Sequence, residues 1–185
     1  MRLCAARSSR SWQAYCRRGH ELAITVIGPD RTGIVADVAE ALAGVGANLT
    51  DSTMTRLRGH FAMTLICTGP TADEAEAALK PLAGVSTEVR RVEPEADAAT
   101  AGEPYVVSVH GADRLGIVAA VTRVVAGVGG NITDLTTRLA GTLYVLIAEV
   151  DLPPGAADEL AERLAVAAAE LGVEVTLRRA ESEIL

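Results

Sequence analysis

Gly28-Pro-Asp-Arg-Thr-Gly-Ile-Val35 returns as Gly111-Ala-Asp-Arg-Leu-Gly-Ile-Val118, and Gly44-Val-Gly-Ala-Asn-Leu-Thr-Asp51 returns as Gly127-Val-Gly-Gly-Asn-Ile-Thr-Asp134. At an offset of 83, residues 28–53 and 111–136 agree at 16 of 26 positions. Self-similarity at a fixed spacing marks a duplicated structural unit. The register slips by one residue before Arg56-Leu57 and Arg138-Leu139, where the two arginines recur. The copies close alike on Val89-Arg-Arg-Val-Glu93 and Leu177-Arg-Arg-Ala-Glu181. Two copies of one module, 21–93 and 105–185, are expected. Between them, residues 94–104 are polar, Ala-rich and bracketed by prolines, which reads as a linker.

The period of the apolar residues sets the elements of each module. Leu22, Ile24 and Val26 alternate with Ala23, Thr25 and Ile27, as Tyr105, Val107 and Val109 do with their neighbours, giving a first strand. Ile34, Val38, Leu42 and Val45, matched by Ile117, Val121, Val125 and Val128, form one helical stripe that Gly46 or Gly129 ends. Strands follow near 48–57 and 60–67, and near 131–139 and 142–150, turning at Arg58-Gly59 and Ala140-Gly141. A second helix opens on the capping-box pattern Thr71-Ala-Asp-Glu74; its counterpart follows Pro153-Pro154-Gly155 through Leu160, Leu164 and Leu171. A last strand begins near Val85 and Val173.

The order βαββαβ, twice, defines an α+β fold: two ferredoxin-like sandwiches in tandem, each an antiparallel four-stranded sheet with two helices on one face. The first and third strands are then central. Leu143 to Ala148 is apolar on both faces, as a central strand requires, and Tyr144 and Leu146 are expected on the face the helices leave open. Another module or a second chain is the natural cover for that face.

Composition narrows the function. The chain has 185 residues, a net charge of -7, 49% hydrophobic residues and only 3% aromatic ones, an ordinary globular balance. Residues 1–20 carry five arginines and no acid, so the remainder stands at -12. An acidic body disfavours direct nucleic-acid binding, which rests on clustered Lys and Arg. The basic head lacks the apolar core of a secretory signal and is read as a disordered extension or an over-called start. No apolar run reaches the length of a membrane span. Cys4, Cys16 and Cys67 form neither a disulfide framework nor a CxxC pair, which fits a reducing cytoplasm.

The duplicated Gly-x-Asp-Arg-x-Gly-Ile-Val segment lies between a strand and a helix. Its glycines permit positive φ and close backbone approach, and the helix start presents unpaired N–H groups and the positive end of the dipole. A small carboxylate fits there, against Asp30, Gly33 and Ile34 or Asp113, Gly116 and Ile117. Asn48 and Asn131, opening the second strand, are suitable acceptors for an ammonium group, so the pattern suits a free amino acid of glycine or serine size. His110, at the end of its strand, is a possible further contact. Two readings stay open, because Asp30 and Asp113 also serve as plain turn or cap residues, and Gly-x-Asn is a common way to stop a helix.

These motifs resemble a tandem pair of ACT domains, and within that group the glycine cleavage system transcriptional repressor family. The resemblance spans residues 21–183 and implies amino-acid binding at an interface between ACT modules, through the loops at Gly33 and Gly116 and the strand starts at Asn48 and Asn131. It also implies a homo-oligomer and regulation through a transcription-factor partner. Thr32 and Leu115 stand where many ACT loops carry proline, and because Thr32 differs from Leu115 and Pro29 from Ala112 the two sites need not share a ligand or both be functional. A ligand-free interaction module, or the regulatory subunit of an amino-acid-metabolism enzyme, is the alternative.

Catalytic chemistry is not expected. The histidines are His20, His60 and His110, with no nucleophile and base at motif spacing, no HExxH, no phosphate-binding loop and no metal or cofactor pattern. The glycines at 44 and 46 follow a helix and precede a strand, the wrong order for a dinucleotide loop. Cys67 reads as a buried thiol. RNA-recognition modules share this topology, but in Arg58-Gly59-His60-Phe61-Ala62-Met63-Thr64-Leu65 the stacking positions fall on His60, Ala62 and Leu65, so an aromatic platform is missing.

Overall fold

A computed structural model of the chain describes residues 21–93 and 102–180. The expected basic head at 1–20, most of the linker and the closing residue Glu181 lie outside the described residues. The chain divides between residues 96 and 97 into two compact units.

The first unit runs β1 (Glu21–Pro29), α1 (Ile34–Gly44), β2 (Asn48–Leu57), β3 (His60–Thr68), α2 (Ala72–Leu79) and β4 (Ser86–Val92). The second runs β5 (Glu103–Ala112), α3 (Ile117–Gly127), β6 (Asn131–Ala140), β7 (Leu143–Leu152), α4 (Ala157–Leu171) and β8 (Val173–Arg179). Each sheet is four-stranded and antiparallel, in the orders β2-β3-β1-β4 and β6-β7-β5-β8. The chain therefore holds two ferredoxin-like sandwiches in tandem, with the first and third strands central. Strand β5 starts at Glu103, two residues before the expected first strand of the second module, because Glu103 and Pro104 already pair with Leu152 and Asp151.

The cores follow the predicted stripes. Ile34, Val38 and Leu42 of α1 bury against Leu22, Ile24 and Val26 of β1 and Phe61, Met63 and Leu65 of β3. Ile117, Val121 and Val125 meet Val107 and Val109 in the second unit. Cys67 is fully buried, and burial pushes its thiol up from the ordinary value, so it acts as a small apolar side chain.

One face was expected the other way round. Leu146 is fully buried in the helix-side core with Ala148, Val150 and Leu152, and Tyr144 packs against the same core. Leu143, Val145, Ile147 and Glu149 hold the open face instead. The pair Arg56 and Arg138 also separates. Through the hairpins the offset stays at 83, so Leu57 opposite His60 matches Ala140 opposite Leu143. Arg56 then lies opposite buried Phe61, while Arg138 lies opposite Val145 on the open face. A shift of one residue reverses the face of a strand side chain.

The capping box at α2 forms as the sequence indicates. Glu74 N–H donates to the Thr71 hydroxyl (3.3 Å), and the Glu74 carboxylate accepts from the Thr71 amide at 2.8 Å and hydroxyl at 2.9 Å. The amide bond foremost, then the hydroxyl bond, holds the Glu74 carboxyl below its ordinary value. Loss of the cap in Thr71→Ala is expected to cost roughly 1 kcal/mol. Because the folded value is depressed, the Glu74 contribution is full above its unfolded value and fades as pH falls through the folded one. Denaturant melts of the two proteins should therefore draw closer in acid without merging, because the Glu74 N–H bond to the Thr71 hydroxyl does not titrate.

Candidate functional site

The loop between β1 and α1 is built from three ties. Asp30 N–H donates to the Gly59 carbonyl (2.9 Å), fastening the loop to the β2–β3 turn, whose residues Arg58 and Gly59 both have positive φ. The Asp30 carboxylate accepts from Arg56 (3.3 Å), and Arg31 pairs with Asp37 in the first turn of α1. Gly33 then caps the helix at φ +85° with no side-chain cap, and its carbonyl accepts from Asp37 N–H. Ile34 turns its side chain into the core, so any ligand at this position meets its backbone. Asp30, Gly33 and Ile34 thus stand together.

Asp113, Gly116 and Ile117 repeat the arrangement, with Gly116 at φ +91° and Ile117 buried. The chemistry around them differs. Leu139 occupies the place of Arg56, and among the described residues Asp113 has no ion-pair or hydrogen-bond partner. Leu115, matching Thr32, is fully exposed. Arg114 lies over Gly172, near 3.6 Å from where a Cβ there would be.

The asparagines stand elsewhere. Pro29 pairs with His60 at one end of β3, and Asn48 pairs with Thr68 at the other. From residue 60 to residue 68 at roughly 3.3 Å per residue, the two ends lie about 26 Å apart. Asn131 likewise pairs with Asp151, at the end of β7 opposite Ala112 and the Gly116 loop. Within one unit the strand start and the helix start are therefore not brought together. Beside Asn131, a shallow cleft of about 290 Å³ is lined by Gly129, Asp151, Leu152 and Pro153. His110 lies on the open sheet face, bonded through Nε2 to Glu174 at 2.8 Å.

Three features escaped the reading of the sequence. The threonine of each Asn-[Leu/Ile]-Thr-Asp start is the extra residue of a β-bulge, and its hydroxyl donates to a carbonyl of the neighbouring strand: Thr50 to Ile66 and Thr133 to Glu149, both at 3.3 Å. The recurrence of Thr at both starts was the available signal. Gly28 and Gly111 serve close approach rather than a ligand: a Cβ on Gly28 would lie 2.5 Å from the Gly84 oxygen, and one on Gly111 2.9 Å from Val173 Cγ1. The Asp30–Arg56 pair joins residues 26 apart in sequence, and no local pattern announces it. No group of three or more His, Cys, Asp or Glu side chains among the described residues is placed to hold a metal.

The ACT-domain family model matches the chain twice, over residues 20–90 and 103–178. The chain belongs to the ACT-domain family. Each unit is one ACT module. A UPF0237 protein of Methanocaldococcus jannaschii is 39% identical over 75 residues, 40% of this chain and 83% of that protein, which is about one ACT module long. The crystal structure of an unknown protein from Galdieria sulphuraria is similar over 88% of this chain and 99% of its own, with 31% identity and a TM-score of 0.75. A crystal structure provisionally assigned as a glycine cleavage system transcriptional repressor is similar in fold, with 22% identity and a TM-score of 0.65, over 88% of this chain and 98% of its own. Among the described residues no helix of the ACT modules is long and apolar enough to cross a membrane.

Proposed function

We propose that the chain is a cytoplasmic amino-acid sensor: a regulatory, non-catalytic ACT protein. It binds a free amino acid of glycine or serine size and acts on transcription of amino-acid or glycine-metabolism genes through a partner protein. The observation that carries this reading is the duplicated left-handed glycine, Gly33 and Gly116, which starts a helix whose first-turn amides face a loop rather than a side-chain cap. Such a start favours a carboxylate.

The distance between the loops and the asparagines supports a site shared by two modules, as the family resemblance implies. Strands β2 and β6 are sheet edges with an open ladder. Pairing one such edge antiparallel with the same edge of another copy lays the asparagine end of one strand beside the loop end of the other. The carboxylate then rests on one module's helix start and the ammonium on the other's asparagine oxygen. Binding shifts the assembly by the difference in affinity between its arrangements. The acidic body, -12 outside residues 1–20, supports a protein partner over nucleic acid, and the likeness to the repressor structure supports transcription as the output.

The two loops are unequal. In the first, Arg56 and Asp37 already occupy the charged groups of Asp30 and Arg31, which favours a ligand-free structural role for that loop alone. Asp113 leaves the second loop the stronger site.

Thermal shift and calorimetry against free amino acids at millimolar concentration test the proposal. A small amino acid should raise the melting temperature. Gly116→Val should abolish that shift, because a β-branched residue resists φ +91° at a cost of about 1–2 kcal/mol while its Cβ meets nothing within 4 Å. Absence of binding by every amino acid, or binding that survives both Gly33→Val and Gly116→Val, overturns it.

A further inference from the structure

The open face of the second unit's sheet carries an ordered pattern of charge. Reading across β6, β7, β5 and β8, one row is Arg138, Val145, His110, Glu174. Two steps further, past Ile147 on β7, the parallel row is Asp134, Glu149, Val106, Arg178. The corners therefore alternate: positive and negative in one row, negative and positive in the other. Ile147 at the centre is 45% exposed and Leu143 beyond it 47%. Among the described residues Arg138, Arg178, Asp134 and Glu149 have no ion-pair partner of opposite charge.

The first unit supplies a built-in comparison on the same backbone. Its corresponding positions hold Thr55 for Arg138, Ala62 for Val145, Thr64 for Ile147, Ala23 for Val106 and Ser86 for Glu174. The first unit keeps Asp51 and Arg90 at the places of Asp134 and Arg178 and carries Ile27 and Ile66 at those of His110 and Glu149, but Thr55 and Ser86 replace the corner pair Arg138 and Glu174, and Glu88 neutralises Arg90 on β4. The complete four-corner alternation and the central Ile147 are therefore features of the second unit and not requirements of the sandwich.

We propose that this face is a self-association surface, occupied by the same face of a second copy of the chain. An alternating four-corner pattern is complementary to itself. A two-fold axis along the strands sets Arg138 against the partner's Glu174 and Arg178 against the partner's Asp134. An axis across the strands sets Arg138 against the partner's Asp134 and Glu174 against the partner's Arg178. Both are aligned sheet packings; an orthogonal packing with a diagonal axis would set arginine against arginine or acid against acid. The charges thus select the aligned class, in which sheets pack with strand directions within about 30°. Ile147 and Val145 supply the apolar centre and the charges its rim, the arrangement of a specific interface. This association needs no amino acid, so its failure and that of the sensor reading are separable.

Sedimentation velocity of the full chain at micromolar concentrations tests it. A dimer is expected without ligand. Ile147→Asp should weaken it about a hundredfold, as loss of a central contact does. Arg138→Glu should weaken it about tenfold, the scale of a rim charge pair. The double variant of Arg138→Glu with Glu174→Arg, or with Asp134→Arg, should recover it according to which axis holds. Thr64→Asp, the same position in the first unit, should change nothing. Circular dichroism confirms that each variant is folded. A chain that stays monomeric, a dimer indifferent to both Ile147→Asp and Arg138→Glu, or one broken equally by Thr64→Asp overturns the proposal.

Discussion

Leu146→Ala is expected to destabilise the second unit by about 3 kcal/mol, the middle of the range for emptying a buried leucine site. Its sequence neighbour should behave oppositely: with the chain diluted to monomer, Ile147→Thr is expected to stay within about 0.5 kcal/mol, as exposed substitutions do. Leu146 is 0% exposed and packs with Val109, Ile117 and Leu160, whereas Ile147 faces away from the helices. Threonine already stands at the matching position of the first unit, Thr64, opposite Thr25 and Thr53. A chain of two units need not melt in one step, so the readout is hydrogen exchange resolved by peptide. Faster exchange in β5, β7 and α4 for Leu146→Ala, with β1 and β3 unchanged, is the expected result. Reversed effects, with Ile147→Thr the costly change, would mean that β7 packs in the other phase.

The same strand shows where periodicity stops being informative. From Leu143 to Ala148 every residue is apolar, so alternation within the run cannot say which half faces the helices. The phase is set just beyond it, where Glu149 and Asp151 alternate with buried Val150 and Leu152. In β1, by contrast, Thr25 marks the solvent side directly, and Leu22, Ile24 and Val26 bury as expected. Helix stripes were legible throughout, because Ile34, Val38 and Leu42 recur one turn apart and have a single way to face a sheet. Repeats of sequence carried the topology, since the same six elements had to fit both copies.

The site was legible in its parts and not in its arrangement. Left-handed glycines at Gly33 and Gly116 were readable because a bare Gly-Ile-Val after a polar turn needs a residue that tolerates positive φ. Sequence proximity does not place Asn48 beside the loop of its own unit: fourteen positions after Ile34, an intervening helix has carried the chain the full length of the sheet. The repeat misled at Arg138, because a single-residue slip in the alignment is a change of face in a strand. Both outcomes have one origin. A linear pattern records which residues recur, while the ends and faces they reach depend on the number of residues between them.

Phe61→Ala is expected to cost the first unit about 3–5 kcal/mol, the usual loss for a buried phenylalanine. That is a large share of the stability of a domain this small, roughly 0.05–0.15 kcal/mol per residue. Phe61 is fully buried at the start of β3, across from Gly28 on one side and Arg56 on the other. Gly28 has no room for a side chain, because the Gly84 carbonyl and Val85, just before β4, approach there. Phe61 therefore also supports the base of the Asp30 loop, through the strands that carry Gly28 and Arg56. Two consequences separate from each other. The burial withholds the ring from solvent, so it cannot stack on a nucleotide, and single-stranded RNA should bind neither the parent protein nor a variant at His60. The support predicts that a milder change, Phe61→Leu, loosens the loop before it unfolds the unit. Hydrogen exchange at Asp30 to Val35 should then rise while α2 and the second unit stay protected. If Phe61→Leu accelerated exchange uniformly across the first unit, the ring would be holding the whole core with no particular bearing on the loop.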